Sequence, residues 1–255
     1  MFLLEVKNLS KHFGGLKAVN DVTFNVKERN IVGLIGPNGA GKTTTFSMIA
    51  GLVSPTSGTI LFNQKDITKI PAYKVVNCGI VCTFQKTKVF PSLSVEDAVL
   101  IGTHCKNNTS ISDIIWRTKN FTANESRAIE KVKEVLNYTG LYEKRKYMCT
   151  GLSYGEQRVL EIAVAMASDP TLLLLDEPAA GLNRKESENL MAMISGLKQA
   201  GITILLIEHD MSVVMQISDF VVVLNFGEKI ASGTPAEVTR NPKVIEAYLG
   251  PGEKL

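Results

Sequence analysis

The sequence predicts an α/β fold with a mixed or mainly parallel sheet, an antiparallel β-layer and an inserted helical subdomain. Continuous apolar runs at 172–175 and 202–207 alternate with helical patterns, which is typical of parallel strands covered on both faces. Apolar and polar residues alternate at 19–26 and weakly at 2–6, which predicts the antiparallel layer. Between 86 and 150 helical patterns replace this alternation, which indicates the inserted subdomain.

The chain of 255 residues is long enough for one large α/β domain that carries an inserted lobe. We predict a single domain over 1–255, in which 1–85 and 151–255 form the α/β core and 86–150 the helical subdomain. Two helices are predicted in this subdomain, Val95–Gly102 and Glu125–Tyr138. Ser94, three residues before Asp97, and Thr122, three residues before Glu125, have the spacing of N-terminal caps for these two helices.

The strongest local pattern lies between an apolar stretch, Ile31–Ile35, and a predicted helix at 43–51. It has the form G-x-x-x-x-G-K-[ST], beginning at Gly36 and ending at Thr43. A glycine-rich turn that carries a lysine by chance is the alternative, but the flanking strand and helix favour a phosphate-binding loop. The candidate nucleotide-binding residues of this loop are consecutive: Gly36, Pro37, Asn38, Gly39, Ala40, Gly41, Lys42, Thr43 and Thr44.

The residue types in this loop fit a nucleoside triphosphate. Glycines have no Cβ, so the chain can aim consecutive N–H groups inward, and the helix N-terminus behind them attracts anions. Lys42 would neutralise the β- and γ-phosphates, and the Thr43 hydroxyl would be a ligand of Mg²⁺. The expected fold is therefore that of a phosphate-loop NTPase.

Two adjacent carboxylates, Asp176 and Glu177, follow the apolar run at 172–175. Adjacent strand residues point to opposite sides, so the two acids are expected to do different jobs. Asp176 would approach the Mg²⁺ ion, and Glu177 would polarise the attacking water as general base. The alternative is a pair of solvated acids at a helix start, which the phosphate loop disfavours.

The segment Leu152–Gln157 admits two compatible interpretations. Ser153 and Glu156 have the spacing of a capping box that opens the apolar helix after them. A capped helix start beside Gly155 is also a good anion site, which would suit a clamp on a γ-phosphate held by another subunit.

Composition argues against several classes of protein. The net charge is +3 without a long basic block, so no nucleic-acid partner is expected. The four cysteines form no C-x-x-C pair and no zinc pattern, which favours reduced thiols in the cytosol. No apolar run reaches the roughly 18 residues that cross a bilayer, and Met1–Ser10 lacks a signal-peptide core. A soluble chain is expected, with any membrane role acting through a partner.

With these motifs in place, the sequence resembles the ATP-binding subunit of ABC transporters over essentially its whole length. The matching pieces follow the family's order: 36–43 as Walker A, Gln85 at the Q-loop, 152–157 as a variant of LSGGQ, 172–176 as Walker B with Glu177 behind it, 180–183 as D-loop, and His209 as the switch histidine. Phe13, in a predicted loop at 11–16, could stack on adenine or hold its hairpin together, and the resemblance favours stacking.

The resemblance implies a head-to-tail pair of subunits that buries two ATP molecules with Mg²⁺. Each ATP would lie between loop 36–43 of one subunit and Ser153 and Gly155 of the other. Gln85 would complete the Mg²⁺ sphere, and His209 would bond the γ-phosphate and help to hold Glu177. The implied partners are integral membrane permeases, a second ABC ATPase subunit, identical or related, and indirectly a periplasmic or extracellular solute-binding protein.

Several segments resemble more narrowly the ATPases that energise import of branched-chain amino acids, including 13–19, 177–183 and the tail at 241–250. Such a subunit would be cytoplasmic and peripheral on the inner face of the cytoplasmic membrane. The chain departs from the family at Tyr154 and Glu156, which replace Gly and Gln of LSGGQ. It also departs at Asn183, which replaces the usual D-loop Asp.

Three alternatives remain from the sequence. The related ATPase of lipopolysaccharide export shares the Leu-Ser-Tyr-Gly-Glu start and a Tyr-Leu-Gly tail. A soluble ABC ATPase acting on DNA or ribosomes would be expected to carry a second cassette, a coiled-coil insertion or a basic arm, and the sequence shows none. A nucleotide-binding regulator without turnover is disfavoured by Glu177 and His209.

Overall fold

The computed structural model describes residues 1–83, 90–104 and 119–249. The chain forms two compact units. The first contains Met1–Cys82, Thr171–Gly181 and Ser187–Leu255, and the second contains Thr83–Pro170 and Leu182–Glu186. The sequence predicts that the helical subdomain ends at 150, whereas the second unit continues through Pro170. The reason is packing, since the helix after residue 153 contacts the other helices of that unit.

Strands and helices follow one another along the described residues. The strands are β1 (Phe2–Phe13), β2 (Leu16–Lys27), β3 (Ile31–Ile35), β4 (Ser57–Phe62), β5 (Lys65–Asp66), β6 (Ile80–Cys82), β7 (Leu172–Asp176), β8 (Thr203–Ile207), β9 (Phe220–Asn225) and β10 (Glu228–Gly233). The helices are α1 (Lys42–Ile49), α2 (Ala72–Asn77), α3 (Val95–Thr103), α4 (Lys119–Tyr138), α5 (Tyr154–Ala167), α6 (Arg184–Gln199), α7 (Met211–Ile217), α8 (Pro235–Thr239) and α9 (Pro242–Leu249).

In the part of the chain that the structure describes, the larger sheet of the first unit has the order β10-β9-β3-β8-β7-β6. Its strands are parallel from β9 to β6, and β10 is antiparallel to β9. Every residue of β3, β7 and β8 is buried, as expected for strands covered on both faces. On one face of this sheet Ile35 packs with Val214, Val238 and Val244. Leu34 belongs to a second, larger cluster of buried apolar residues.

The smaller sheet is antiparallel, with the order β2-β1-β4-β5. Its apolar side chains, such as Leu4 and Phe24, join one core with Phe46 and Ile49 of α1 and with Leu34 of β3. The core therefore lies between the two sheets and fixes α1 against both.

The strand β1 is longer than predicted. It runs to Phe13 and pairs there with Leu16 at the start of β2, so the predicted loop at 11–16 shrinks to a turn at Gly14 and Gly15. Cross-strand pairing extends the two strands here, since Lys11 pairs with Val19 and His12 with Lys17.

The second unit is built around α3, α4 and α5. Ser168, at the end of α5, donates its hydroxyl to the Gly102 carbonyl oxygen at 3.0 Å. The Ser94 cap of α3 is confirmed, since its hydroxyl accepts the Asp97 N–H at 3.2 Å. The predicted cap of α4 at Thr122 is wrong, because that helix already begins at Lys119.

None of the helices within 1–83, 90–104 and 119–249 combines the length and the hydropathy that a membrane crossing requires.

The close approach of α3 to α5 depends on Gly102. A Cβ at this position would lie 2.2 Å from the Val164 carbonyl oxygen and 2.9 Å from the Ala167 Cβ. We expect Gly102→Ala to lower the free energy of unfolding by about 1–3 kcal/mol, because backbone must move to admit the methyl group. Gly151→Ala is the control, since its Cβ would meet no heavy atom within 4 Å. Urea denaturation measures both, and equal stability of the two variants would contradict this packing.

Candidate functional site

The predicted phosphate loop connects β3 to α1 in the first unit. Gly36, Gly39 and Gly41 have φ angles of +151°, +80° and +96°, in the left-handed region that side chains rarely adopt. Space is also restricted, because a Cβ at Gly36 would lie 2.1 Å from the Leu224 carbonyl oxygen. A Cβ at Gly41 would lie 2.5 Å from the Ala18 carbonyl oxygen. The loop is therefore held tightly between β2 and β9.

Lys42, the first residue of α1, is buried, with 6% of its surface exposed. Its ammonium group donates hydrogen bonds to the carbonyl oxygens of Gly36 at 2.7 Å and Pro37 at 3.0 Å. Burial lowers the pKa of Lys42, and the charges of Glu177 and Asp176 partly offset this effect. The lysine thus lies inside the loop with two carboxylates in its electrostatic neighbourhood, which is the arrangement that phosphate and metal binding need.

Asp176 and Glu177 differ in backbone conformation, whereas the prediction treats both as strand residues. Asp176 is the last residue of β7, whereas Glu177 has a φ of +49° and no longer follows strand geometry. The strand alternation that predicts opposite directions for the two carboxylates therefore does not extend to Glu177, and both charges act on Lys42. Glu177 Oε1 lies 3.5 Å from His209 Nδ1, so the structure brings Lys42, Asp176, Glu177 and His209 together.

Sequence reasoning assigns no role to Glu208, which the structure places at this site. Glu208 follows β8 directly and exposes 1% of its surface. Its Oε1 accepts the Ala179 N–H at 2.9 Å. Burial raises the pKa of Glu208, and this hydrogen bond counteracts the rise. The available signal in the sequence was a carboxylate directly after the apolar residues 204–207, because neighbouring parallel strands end at the same edge of a sheet.

The segment that contains Ser153 and Gly155 belongs to the second unit. Ser153 caps α5 through a reciprocal capping box: its hydroxyl accepts the Glu156 N–H at 3.3 Å, and its own N–H donates to Glu156 Oε2 at 3.0 Å. Lys144 pairs with the other carboxylate oxygen of Glu156. The capping interpretation of this segment is therefore confirmed, and Ser153 remains exposed at the helix N-terminus.

The remaining candidates are placed as follows. Phe13 is half exposed at the end of β1, with the Lys11 ammonium 5.0 Å from its ring centre. Thr43 is exposed and Thr44 half-buried in the first turn of α1, while Asn38 and Gly39 are exposed at the loop tip. Ala40 is buried beneath them, and its carbonyl oxygen accepts the Gly227 N–H at 3.1 Å. Gln85 lies outside the described residues.

Comparison with known proteins fits this geometry. The family model "ABC transporter" matches residues 19–180. The chain belongs to the ABC transporter family. A second family model, "Branched-chain amino acid ATP-binding cassette transporter", matches residues 228–250.

Full-length relatives support the same family. The cassette is 44% identical over 249 residues to the high-affinity branched-chain amino acid transport ATP-binding protein LivG of Salmonella typhimurium, covering 97% of this chain and 98% of the relative. It is 33% identical over 255 residues to the lipopolysaccharide export system ATP-binding protein LptB of Haemophilus influenzae, with full coverage of both.

A solved structure agrees in fold. The ADP conformation of MJ1267, an ATP-binding cassette of an ABC transporter, superimposes with a TM-score of 0.86 at 31% identity, over 98% of this chain and 99% of that one. The predicted fold class, a phosphate-loop ABC ATPase core with mixed sheet, antiparallel β-layer and helical subdomain, is thereby confirmed.

The cap at Ser153 of the cassette can be separated from any contact with phosphate. We expect Ser153→Ala to lower the free energy of unfolding by about 1 kcal/mol, whereas Ser153→Asp keeps it within about 0.5 kcal/mol, because Asp is an equally good cap. Urea denaturation measures stability and MgATP hydrolysis measures function. A phosphate contact at Ser153 predicts that the aspartate variant is stable yet hydrolyses poorly, because its charge would repel phosphate. Full hydrolysis by Ser153→Asp would contradict a phosphate contact at this residue.

Proposed function

We propose that this ABC ATPase powers import of branched-chain or related amino acids, and that its hydrolytic site is built from the residues around the phosphate loop. The observation that carries the proposal is the assembly of Lys42, Asp176, Glu177 and His209 at one edge of the parallel sheet. The likeness to LivG over nearly the whole length of both chains supports the transported class.

In this proposal the phosphate loop binds ATP through the N–H groups of 36–44, and Phe13 stacks on the adenine. Lys42 exchanges its two carbonyl partners for β- and γ-phosphate oxygens, which are stronger acceptors. The Thr43 hydroxyl and the Asp176 carboxylate are oxygen donors on the same unit, which is the chemistry that Mg²⁺ prefers. When bound, Mg²⁺ neutralises charge on the β- and γ-phosphates, and Gln85 is proposed as a further ligand.

Hydrolysis then needs a base and an orienting group. The Glu177 carboxylate accepts a proton from water while the water oxygen attacks the γ-phosphorus and the bond to ADP breaks. His209, 3.5 Å from Glu177, holds the carboxylate and contacts the γ-phosphate. Ser153 and Gly155 of a second ATPase subunit close over that phosphate, so only the paired form completes the site.

The proposed partners follow from membership of the ABC transporter family and from the likeness to LivG. Two ATPase subunits, identical or related, pair head to tail beneath integral membrane permeases, with a periplasmic or extracellular solute-binding protein acting indirectly. The chain would thus be cytoplasmic and peripheral on the inner face of the membrane. Closure on ATP and reopening after hydrolysis would shift the permeases between two states by differential binding. No nucleic-acid contact is part of the proposal.

Glu177→Gln is the direct test. We expect steady-state MgATP hydrolysis to fall by about 10²- to 10⁴-fold, because the base is lost, while MgATP binding is retained. Glu246→Gln, at an exposed position of α9, is the matched control and should hydrolyse normally. Equal rates for Glu177→Gln and wild type would refute the assignment of the base.

The same variant distinguishes the amino acid importer from the lipopolysaccharide exporter. In the native cell, replacement of the chromosomal copy by Glu177→Gln should abolish high-affinity uptake of radiolabelled leucine, isoleucine and valine. Unchanged uptake together with accumulation of lipopolysaccharide at the inner membrane would favour the exporter instead.

A further inference from the structure

Glu208 is a buried acid that the proposed hydrolytic mechanism does not use. It exposes 1% of its surface at the end of β8. Burying a carboxylate is unfavourable unless hydrogen bonds compensate, so an apolar residue after this apolar strand would serve the core better. The position of its oxygen suggests what it does, because Oε1 accepts the Ala179 N–H at 2.9 Å.

Ala179 lies on the turn that carries Glu177. The register of β7 and β8 pairs Asp176 with Ile207, which brings Glu177 beside Glu208. The Glu177 N–H donates to the Ile207 carbonyl oxygen at 2.9 Å. The Glu177 carbonyl oxygen accepts the Ala180 N–H at 3.1 Å, which closes the turn. The turn is therefore joined to the end of β8 at two places, one through backbone and one through the Glu208 side chain.

This turn needs an external restraint. Glu177 has a φ of +49°, a conformation that is unfavourable for a residue with a Cβ and persists only where surrounding contacts impose it. A general base must also be held closely, since a displacement of about 1 Å can lower a rate roughly 100-fold.

We propose that Glu208 is a positioning residue for hydrolysis: its side-chain oxygen holds the Ala179 N–H and thereby fixes the turn that aims Glu177 at the attacking water. This inference rests on the proposed role of Glu177 as base. The required property is the acceptor oxygen and not the negative charge. His209, whose Nδ1 lies 3.5 Å from Glu177 Oε1, directly follows Glu208 in the chain. The end of β8 therefore positions both His209 and the Glu208 side chain next to Glu177.

Two neutral variants of similar size separate acceptor from charge. Glu208→Gln keeps a carbonyl oxygen that can accept the Ala179 N–H, whereas Glu208→Leu has none. We expect Glu208→Leu to lower the kcat for MgATP hydrolysis by about 10- to 100-fold, with the KM for MgATP within about twofold of wild type. Glu208→Gln should keep kcat within about threefold of wild type.

Thermal unfolding and titration with MgATP show whether each variant is folded and binds nucleotide. If Glu208→Leu does not fold, Glu208→Met, which is longer and also lacks a strong acceptor, takes its place.

Normal kcat in the apolar variant overturns the proposal. An equal loss of kcat in Glu208→Leu and Glu208→Gln also overturns it, since that would make the negative charge the essential property. Hydrolysis by Glu177→Gln is measured alongside. If Glu177→Gln hydrolyses MgATP normally while Glu208→Leu does not, the proposed base is wrong. If Glu208→Leu hydrolyses normally while Glu177→Gln does not, only the role of Glu208 is rejected.

Discussion

The geometry of the site depends on a tight contact between the phosphate loop and the strands around it. Gly36 packs against the Leu224 carbonyl oxygen of β9, and Gly41 against the Ala18 carbonyl oxygen of β2, both closer than any side chain would allow. Both residues also have left-handed φ angles. Because β9 and β2 confine the loop on two sides, the N-terminus of α1 and Lys42 are held in one position relative to the sheet.

The order of the strands in the larger sheet determines which site residues lie next to the phosphate loop. β3, β8 and β7 are adjacent and parallel, so the segments after them meet at one edge of the sheet. That edge brings together the phosphate loop after β3, Asp176 and Glu177 at the end of β7, and Glu208 and His209 after β8. Positive charge on Lys42 and negative charge on the carboxylates lie within electrostatic reach of one another. In the proposed mechanism Asp176 is the metal ligand and Glu177 the base, and an anion-binding loop next to such a pair is the arrangement that phosphoryl transfer to water requires.

Much of this could be predicted from sequence, because the motifs are local. The glycine spacing at 36–43, the apolar run before Asp176 and the cap at Ser153 each indicate their structure within a few residues. What could not be predicted depends on contacts between distant segments. The left-handed turn at Glu177 and its bond to Glu208 arise from the pairing of β7 with β8. The longer β1 and the inclusion of α5 in the helical unit likewise follow from pairing and packing.

In the proposed mechanism, the phosphate loop and Lys42 bind the phosphates of MgATP. Isothermal titration calorimetry of MgATP into wild type, Lys42→Met and Lys65→Met tests it most directly, since Lys65 is an exposed lysine on β5 of the same unit. Wild type and Lys65→Met should bind with equal affinity. Lys42→Met should bind at least about tenfold more weakly, because a charge-assisted contact with phosphate is lost. Absence of binding to folded wild type, or equal affinity of all three proteins, would show that Lys42 does not bind the phosphates of MgATP.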